Sequence, residues 1–293
     1  MIDLITVVFQ QELHLLEIQA RSIELYLEPH RINKIYAVID GEDSVADLVD
    51  HSWWGANADK VQVIPGSQLG FAPQLDGWNR QQLYKLLAAE QAQSEWSMCL
   101  DAKTWFVQTL QWDKLFDHNG LVRLRSFPTI EHFKSAQISL EKFYNIELPH
   151  VIGPGGVPFM FRTELVKEMI NDIEHRTGSS FIDWFALHVM DPDRITEFML
   201  YSGYVIHKLG SYSSLYSRDQ YYTVTNMADR QVAEEFDLIM GHMHSPYNLT
   251  ASIQGRAYPH LNDEQLDVWV NFLFSRNLIT NPENAKLQLN TLR

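Results

Sequence analysis

The stretch WSMCLDAK, residues 96–103, places an apolar run directly before the carboxylate of Asp101. A short strand that is apolar throughout, rather than alternating, is typical of burial on both faces of a sheet. Because the predicted strand over 96–100 ends abruptly at Asp101, we expect this side chain at the carboxyl edge of the sheet. Open parallel sheets bind their ligands at that edge. Lys103 adds a cation two residues later.

Apolar runs earlier in the chain repeat this strand pattern and alternate with helical spacing. Strands are predicted over residues 4–9, 34–39 and 61–64, and long helices over 13–27 and 78–93. Strands that alternate with helices indicate a mostly parallel sheet with helices on both faces. The sequence therefore predicts an α/β fold.

The remaining two thirds of the chain have a less regular pattern. Strands are predicted over 121–124 and 157–161, and helices over 163–175, 181–189 and 196–204. From residue 229 onward the pattern is mostly helical, with helices predicted over 231–240 and 262–278. No repeat or charged linker divides the 293 residues. We expect one domain in three parts, residues 1–107, 108–225 and 226–293.

Composition restricts the partners of the protein. The formal net charge is −14, from 23 Lys and Arg against 37 Asp and Glu, which disfavours nucleic acid and anionic membranes as partners. A phosphorylated small molecule needs only a few local cations and stays possible. No apolar run is long enough for membrane insertion. The single cysteine, Cys99, and an N-terminus that is patterned as a strand lead us to expect a soluble, cytoplasmic protein.

Several well-known ligand motifs are absent from the sequence. The predicted first strand is followed by polar Gln10 and not by G-x-G-x-x-G, and no P-loop occurs. The chain also lacks a G-x-S-x-G elbow and paired cysteines for zinc. Dinucleotide binding, P-loop hydrolysis and serine-esterase chemistry are therefore disfavoured.

The order of several short segments resembles the nucleotide-binding half of GT-A-fold glycosyltransferases. The carboxylate Asp40 follows a strand, a Gln-Gln-Lys pattern lies on the next long helix, and Asp101 follows the fourth strand. A glycine-containing segment over 153–159 resembles the one that faces the sugar. The segment 196–203 resembles a Ser/Thr-Glu-aromatic stretch of a less studied branch. The resemblance covers about residues 1–210.

The resemblance implies a GT-A-like fold with a nucleotide-binding half, residues 1–107, and a sugar and acceptor half, residues 108–225. It implies transfer of a sugar from a nucleotide-sugar donor, with UDP as the carrier, to a saccharide or another hydroxyl acceptor. The donor-binding residues implied are Gln10, Asp40, Arg80, Gln81, Lys85, Asp101, Lys103, Gly155 and Gly156.

Glu197 and Asp101 are the expected catalytic residues. An inverting transferase needs a carboxylate that takes the proton of the acceptor hydroxyl, and Glu197 is the candidate, with Asp183 as a rival. Glu197 also fits a purely structural role as a first-turn glutamate behind a Thr196 cap. Asp101, which would meet the ribose and diphosphate, likewise fits a turn cap.

The metal requirement is open in the sequence. The related enzymes hold a divalent ion, Mn²⁺ or Mg²⁺, with an Asp-x-Asp motif, and here Lys103 replaces the second carboxylate. Either Asp101 holds an ion with help from His207, or the ammonium of Lys103 supplies part of the ion's charge. A second Asp-x-Asp, Asp191-Pro192-Asp193, is predicted as a turn.

Two alternative functions stay open at this level. One is a nucleotidyltransferase that makes a sugar nucleotide, although no glycine-rich phosphate loop follows the first strand. The other is a catalytically degenerate transferase that serves as a carbohydrate-binding or scaffold protein, which the replacement by Lys103 would favour.

Overall fold

A computed structural model describes residues 1–70, 72–123, 127–128, 131–153, 156–190 and 192–293. Its strands are β1 (Ile2–Phe9), β2 (Ile32–Asp40), β3 (Val61–Pro65), β4 (Trp96–Asp101), β5 (Thr104–Phe106), β6 (Val122–Arg123), β7 (Phe127–Pro128), β8 (Val151–Gly153), β9 (Phe159–Arg162), β10 (Tyr216–Ser217), β11 (Thr223–Met227) and β12 (Asn248–Ile253). Its helices are α1 (Leu13–Tyr26), α2 (Gly66–Leu69), α3 (Gly77–Gln91), α4 (Trp112–Leu115), α5 (Lys134–Tyr144), α6 (Thr163–Thr177), α7 (Phe181–His188), α8 (Glu197–Leu209), α9 (Asp229–Glu234), α10 (Phe236–Met243), α11 (Asp263–Ser275) and α12 (Pro282–Asn290).

The central sheet has the strand order β3-β2-β1-β4-β9. The first four strands are parallel, and β9 pairs with β4 in the antiparallel direction. Every residue of β1 from Ile2 to Val8 is buried, so both faces of the sheet are covered. The predicted α/β class with a mostly parallel sheet is confirmed.

The strand register brings two predicted site residues to the same sheet edge. Asp40 pairs with Phe9 at the end of β1, and Asp101 pairs with Val7 on the other side of that strand. The carboxyl ends of β1, β2 and β4 therefore converge, with the two carboxylates about two strand spacings apart, ~10 Å across the sheet.

A second, smaller sheet has the order β11-β12-β5, in which β12 runs antiparallel to β5. It belongs to a separate hydrophobic core that the C-terminal helices complete, and α1 contributes Leu15 and Ile18 to it. The rings of Trp105 and Trp269 stack in this core, 5.6 Å between centroids. The C-terminal part is mostly helical as predicted, but β12 lies within it and was not predicted.

Other predicted elements are shifted or divided. The strand expected over 157–161 is β9, two residues later, and only 122–123 of the expected strand over 121–124 is a strand in the described residues. The helix expected over 231–240 is divided between α9 and α10 at Glu235. Within the described ranges, none of the helices has the length and hydropathy that a bilayer crossing requires.

Candidate active site

Asp101 ends β4 and begins a tight turn that leads into β5. The buried side chain of Gln19, on α1, donates to the Asp101 carbonyl oxygen at 2.6 Å and to the Thr104 carbonyl oxygen at 3.1 Å. These two hydrogen bonds hold both ends of the turn, so Gln19 fixes the backbone that carries Asp101 and Lys103. Gln19 was not predicted as a site residue, because its partners lie more than eighty residues away in the chain.

Lys85, on α3, joins two carboxylates that come from distant segments. Its Nζ lies 2.8 Å from Asp101 Oδ1 and 3.0 Å from Glu197 Oε1, and 5.2 Å from the centre of the Phe198 ring. The residue is only 6% exposed. Lys85 was expected among the donor-binding residues, and the structure places its ammonium on two carboxylates of the chain itself.

The charges of this cluster shift the pKa values in opposite directions. Burial by itself would lower the pKa of Lys85, but the carboxylates of Asp101 and Glu197 outweigh it and raise that pKa well above its ordinary value. Burial would raise the pKa of Asp101, and the ammonium groups of Lys85 and Lys103 outweigh it, so that this pKa is lowered. Lys85 is thus a cation and Asp101 an anion across the neutral range.

Glu197 begins α8, and its position combines the two roles weighed from the sequence. Thr196 Oγ1 accepts from the Met199 amide at 3.4 Å as the helix cap, and Gln82 Oε1 accepts from the Glu197 amide at 3.4 Å. The Glu197 side chain nevertheless turns into the cleft, where it meets Lys85. The predicted Thr196 cap is therefore present, and Glu197 also lines the cleft, whereas its catalytic role stays a prediction.

A cleft of about 970 Å³ opens beside this cluster. Gly156 lines it, and a Cβ added at Gly156 would meet none of the described residues within 4 Å. Cations exceed carboxylates on the described part of its lining, in a protein whose overall charge is strongly negative. The cations are Lys85, Lys103, Arg123 and Arg256, and the carboxylates are Asp101 and Glu197.

The smaller sheet forms one wall of the cleft. Asn226 on β11 and Ser252 on β12 line it, and Gln254 and Arg256 follow β12 on the same wall. Ser252 Oγ donates to Asn226 Oδ1 at 2.9 Å, which ties the two strands together at the wall. These residues were not predicted, because the C-terminal segment matches no known pattern.

Asp40 and Arg80 form a second group, which is not among the described residues that line the cleft. Arg80 Nε donates to Asp40 Oδ1 at 2.6 Å. Asp40 is 2% exposed, and its Oδ2 has no hydrogen-bond partner among the described residues. Burial raises the pKa of Asp40, and Arg80 only partly opposes this. Nearby, Gln10 Oε1 accepts from the Glu42 amide at 3.0 Å.

Gln81 was expected at the donor site, but it is the neighbouring Gln82 that contacts α8. Gln82 reaches α8, as described above, whereas Gln81 is half-buried on α3 and is not among the described residues that line the cleft. A step of one residue turns a helical side chain by about 100°. Gly155 lies outside the described residues.

His207 does not share a site with Asp101. It lies near the end of α8, ten residues after Glu197, which is about 15 Å along a helix. Its ring stacks on Tyr144, 4.9 Å between centroids, and its Nε2 is 2.9 Å from Arg176 Nη2. Burial and the Arg176 charge lower the pKa of His207.

Asp183, the rival of Glu197, and Asp193, from the second Asp-x-Asp, both make local contacts. Asp183 accepts from the Ser180 hydroxyl at 2.7 Å in the cap of α7. Asp193 accepts from the Ser139 hydroxyl at 2.6 Å and contacts His188, while Asp191 lies outside the described residues. Neither Asp183 nor Asp193 is among the described residues that line the cleft, so Glu197 is a better candidate for the base than Asp183.

The donor set around Asp101 does not fit a divalent ion. No group of three His, Cys, Asp or Glu side chains in the described ranges converges as metal ligands would. The two carboxylates of the described cleft lining both contact the Lys85 ammonium, and Lys103 replaces the second carboxylate of the Asp-x-Asp motif. The predicted ligand pair of Asp101 and His207 is not brought together.

The sequence profile of one protein family matches residues 5–238. The chain belongs to this family of unknown function, DUF6492. No curated protein matches the sequence of this DUF6492 chain.

Several solved glycosyltransferases match the fold. One is the galactosyltransferase LgtC in complex with donor and acceptor sugar analogs, at 13% identity and a TM-score of 0.49, over 97% of this chain and 100% of that one. A second is GlyE from Streptococcus pneumoniae TIGR4, at 10% identity and a TM-score of 0.46, over 99% of this chain and 63% of that one. A third is mouse xyloside xylosyltransferase 1, at 10% identity and a TM-score of 0.39, over 86% of this chain and 97% of that one.

Proposed function

We propose that this protein is a glycosyltransferase that moves a sugar from a nucleotide-sugar, with UDP as the carrier, to an acceptor hydroxyl. One observation carries the proposal. Lys85 joins Asp101, at the carboxyl edge of a parallel sheet, to Glu197, and the joined pair faces a large cleft whose described lining has more cations than carboxylates. This combination supports an anionic donor beside a carboxylate that can act on a hydroxyl group.

The cleft has the size and the lining that a nucleotide-sugar needs. Its volume, about 970 Å³, is at the upper end of the range for small-molecule sites. Trp78 lines the cleft and is 60% exposed, so its ring is available to stack on a base or a sugar. Lys103 and Arg123 supply positive charge for phosphate groups.

Asp40 supports a nucleoside subsite at the same sheet edge. Its buried Oδ2 has no partner among the described residues, and a ribose hydroxyl or a base N–H is the type of donor that such an oxygen accepts. Arg80 fixes the other oxygen. Asp40, Arg80 and Gln10 are therefore proposed to orient the nucleoside.

Glu197 is proposed to act on the acceptor. Its carboxylate takes the proton of the acceptor hydroxyl while the hydroxyl oxygen forms a bond to the anomeric carbon. The bond from that carbon to the donor phosphate oxygen breaks, and its electron pair leaves with the diphosphate. Lys85 donates to Glu197 Oε1 and so fixes the carboxyl group as the proton arrives.

Ligand-induced stabilisation tests the donor site. UDP and UDP-sugars should raise the melting temperature, because a ligand bound only by the folded state stabilises it. Asp101→Ala should abolish the shift, whereas Asp113→Ala, at an exposed carboxylate on α4, should retain it. The absence of a shift with UDP-, GDP- and ADP-linked sugars alike would contradict the proposed donor.

Release of UDP, measured with a panel of saccharide acceptors, tests turnover. Acceptor-dependent release is the expected result. Nucleotide binding without release would favour the carbohydrate-binding alternative. Formation of UTP from pyrophosphate and a UDP-sugar would favour the nucleotidyltransferase.

A further inference from the structure

Both described carboxylates of the cleft share a single cation that belongs to the protein. Lys85 Nζ lies within 3.0 Å of an oxygen of Asp101 and of Glu197. A divalent ion between these carboxylates would have to displace a buried ammonium or lie beside it. Displacement would leave the buried Lys85 charge without its carboxylate partners, beside the Phe198 ring, and co-occupancy would place three positive charges together.

Lys103 brings a second ammonium to the place where a second metal-binding carboxylate would stand. It lines the cleft two residues after Asp101, and its charge contributes to the lowered pKa of that carboxyl group. It forms no hydrogen bond or ion pair with a residue in the described ranges. A cation beside Asp101 is thus available to an incoming anion.

Two guanidinium groups line the cleft from other walls. Arg123, on β6, pairs through Nη2 with Asp219 at 3.2 Å, and its Nε is buried without a partner among the described residues. Arg256 follows β12 and is 3.9 Å from Asp229 at its nearest ion-pair contact. The lining therefore offers donors with unused capacity on more than one side.

From these three observations, and resting on the function proposed above, we propose that the chain binds the donor diphosphate without a divalent ion. Lys103 and the two arginines contact the phosphate oxygens. When the bond between the anomeric carbon and the phosphate oxygen breaks, the electron pair goes to that oxygen, and these cations stabilise its new charge. Lys85 stays on its carboxylates and keeps Asp101 from serving as a metal ligand.

Calorimetric titration of UDP into the metal-stripped protein tests the proposal. The wild type is titrated once with Mn²⁺ and once with EDTA, and the two dissociation constants should agree within about twofold. Lys103→Ala should weaken UDP binding by about tenfold in both buffers, the loss expected for one charge-assisted contact. Lys208 lies near the end of α8, where it pairs with Glu168 of α6, and Lys208→Ala should leave the affinity unchanged.

A second titration, of Mn²⁺ alone into the same protein, should give no saturable binding. Affinity for UDP that falls tenfold or more in EDTA and returns with Mn²⁺ would overturn the metal independence but would leave the proposed donor standing. Absence of UDP binding in both buffers would overturn the proposed donor, and the inference with it. Equal affinity in both buffers, with weaker binding by Lys103→Ala, supports both.

Discussion

The Lys85 ammonium lies 3.0 Å from Glu197 Oε1, although 112 residues separate the two side chains in the chain. The contact ties α3 to the first turn of α8 at the wall of the cleft. Because the same ammonium also contacts Asp101, changes at this one position act on both carboxylates of the candidate site.

Lys85→Met should lower the free energy of unfolding by about 3–5 kcal/mol, because it leaves two carboxylates without the buried cation that pairs them. Urea denaturation measures this difference. Lys208→Met removes a half-exposed ion pair on α8 and should cost less than ~1 kcal/mol. The double variant Lys85→Met with Glu197→Gln should lose less than the sum of the single changes, and strict additivity would argue against the contact.

Glu197→Gln should reduce sugar transfer by about two to four orders of magnitude while donor affinity is retained, since the amide keeps the shape and loses the basicity. Initial rates and UDP titration, measured on the same preparation, separate the two effects. Glu164→Gln is a matched control, because Glu164 lies in the first turn of α6 and is exposed. Near-normal transfer by Glu197→Gln would leave this residue with its helix-terminal role alone.

Asp101→Asn should change the acid sensitivity of the protein. The pKa of Asp101 is lowered from its ordinary value of 3.8, because Lys85 and Lys103 outweigh the opposing effect of burial. The unfolded chain therefore binds this proton more readily than the folded one does. The stability that ionised Asp101 contributes is present above pH 3.8 and is lost as the pH falls through the lower, folded-state pKa.

Urea denaturation of the wild type and Asp101→Asn, from about pH 3 to pH 7, tests this dependence. The stability difference between the two proteins should be constant near neutrality and should shrink in the acid range. Asp113→Asn, at the exposed carboxylate on α4, should differ little from the wild type throughout. A difference that widens with acidification would contradict the assignment.

Trp269→Ala should destabilise the protein by about 3–5 kcal/mol, because it opens a cavity in the second core and removes the ring stacked on Trp105. Phe274→Ala alters an exposed ring on the same helix, α11, and should cost ~0.5 kcal/mol or less. Thermal and urea unfolding give both values. Equal losses from the two variants would mean that the second core contributes little to stability.

The central sheet could be predicted because each of its first four strands is a local apolar run. β12 could not, because its sequence, Asn248-Leu-Thr-Ala-Ser-Ile253, mixes apolar and polar residues and yet is wholly buried. The polar side chains obtain partners from β11, as in the 2.7 Å bond from Thr225 Oγ1 to Asn248 Oδ1. Such partners exist only once the chain has folded.

The candidate site could be predicted where it depends on local sequence, and could not where it depends on contacts that form only on folding. Asp101 and Lys103 follow a recognisable strand, and Glu197 follows a recognisable cap, so their places along the chain could be predicted; their roles stay predictions. The ion pairs of Lys85 with Asp101 and Glu197 depend on how α3 is rotated against α8. The same rotation determines whether Gln81 or Gln82 contacts α8. That rotation follows from packing and not from local spacing.

The pairing of β5 with β12 has a consequence for biosynthesis. Trp105 pairs in register with Ala251, so it leaves the ribosome long before the strand and the helix that cover it. At ~5–20 residues per second, the interval is on the order of ten seconds. The parallel sheet around β1 can assemble during that time, while the Trp105 indole stays exposed. A nascent chain stalled before β12 should therefore bind chaperones through this exposed ring, and that binding should end when translation passes α11.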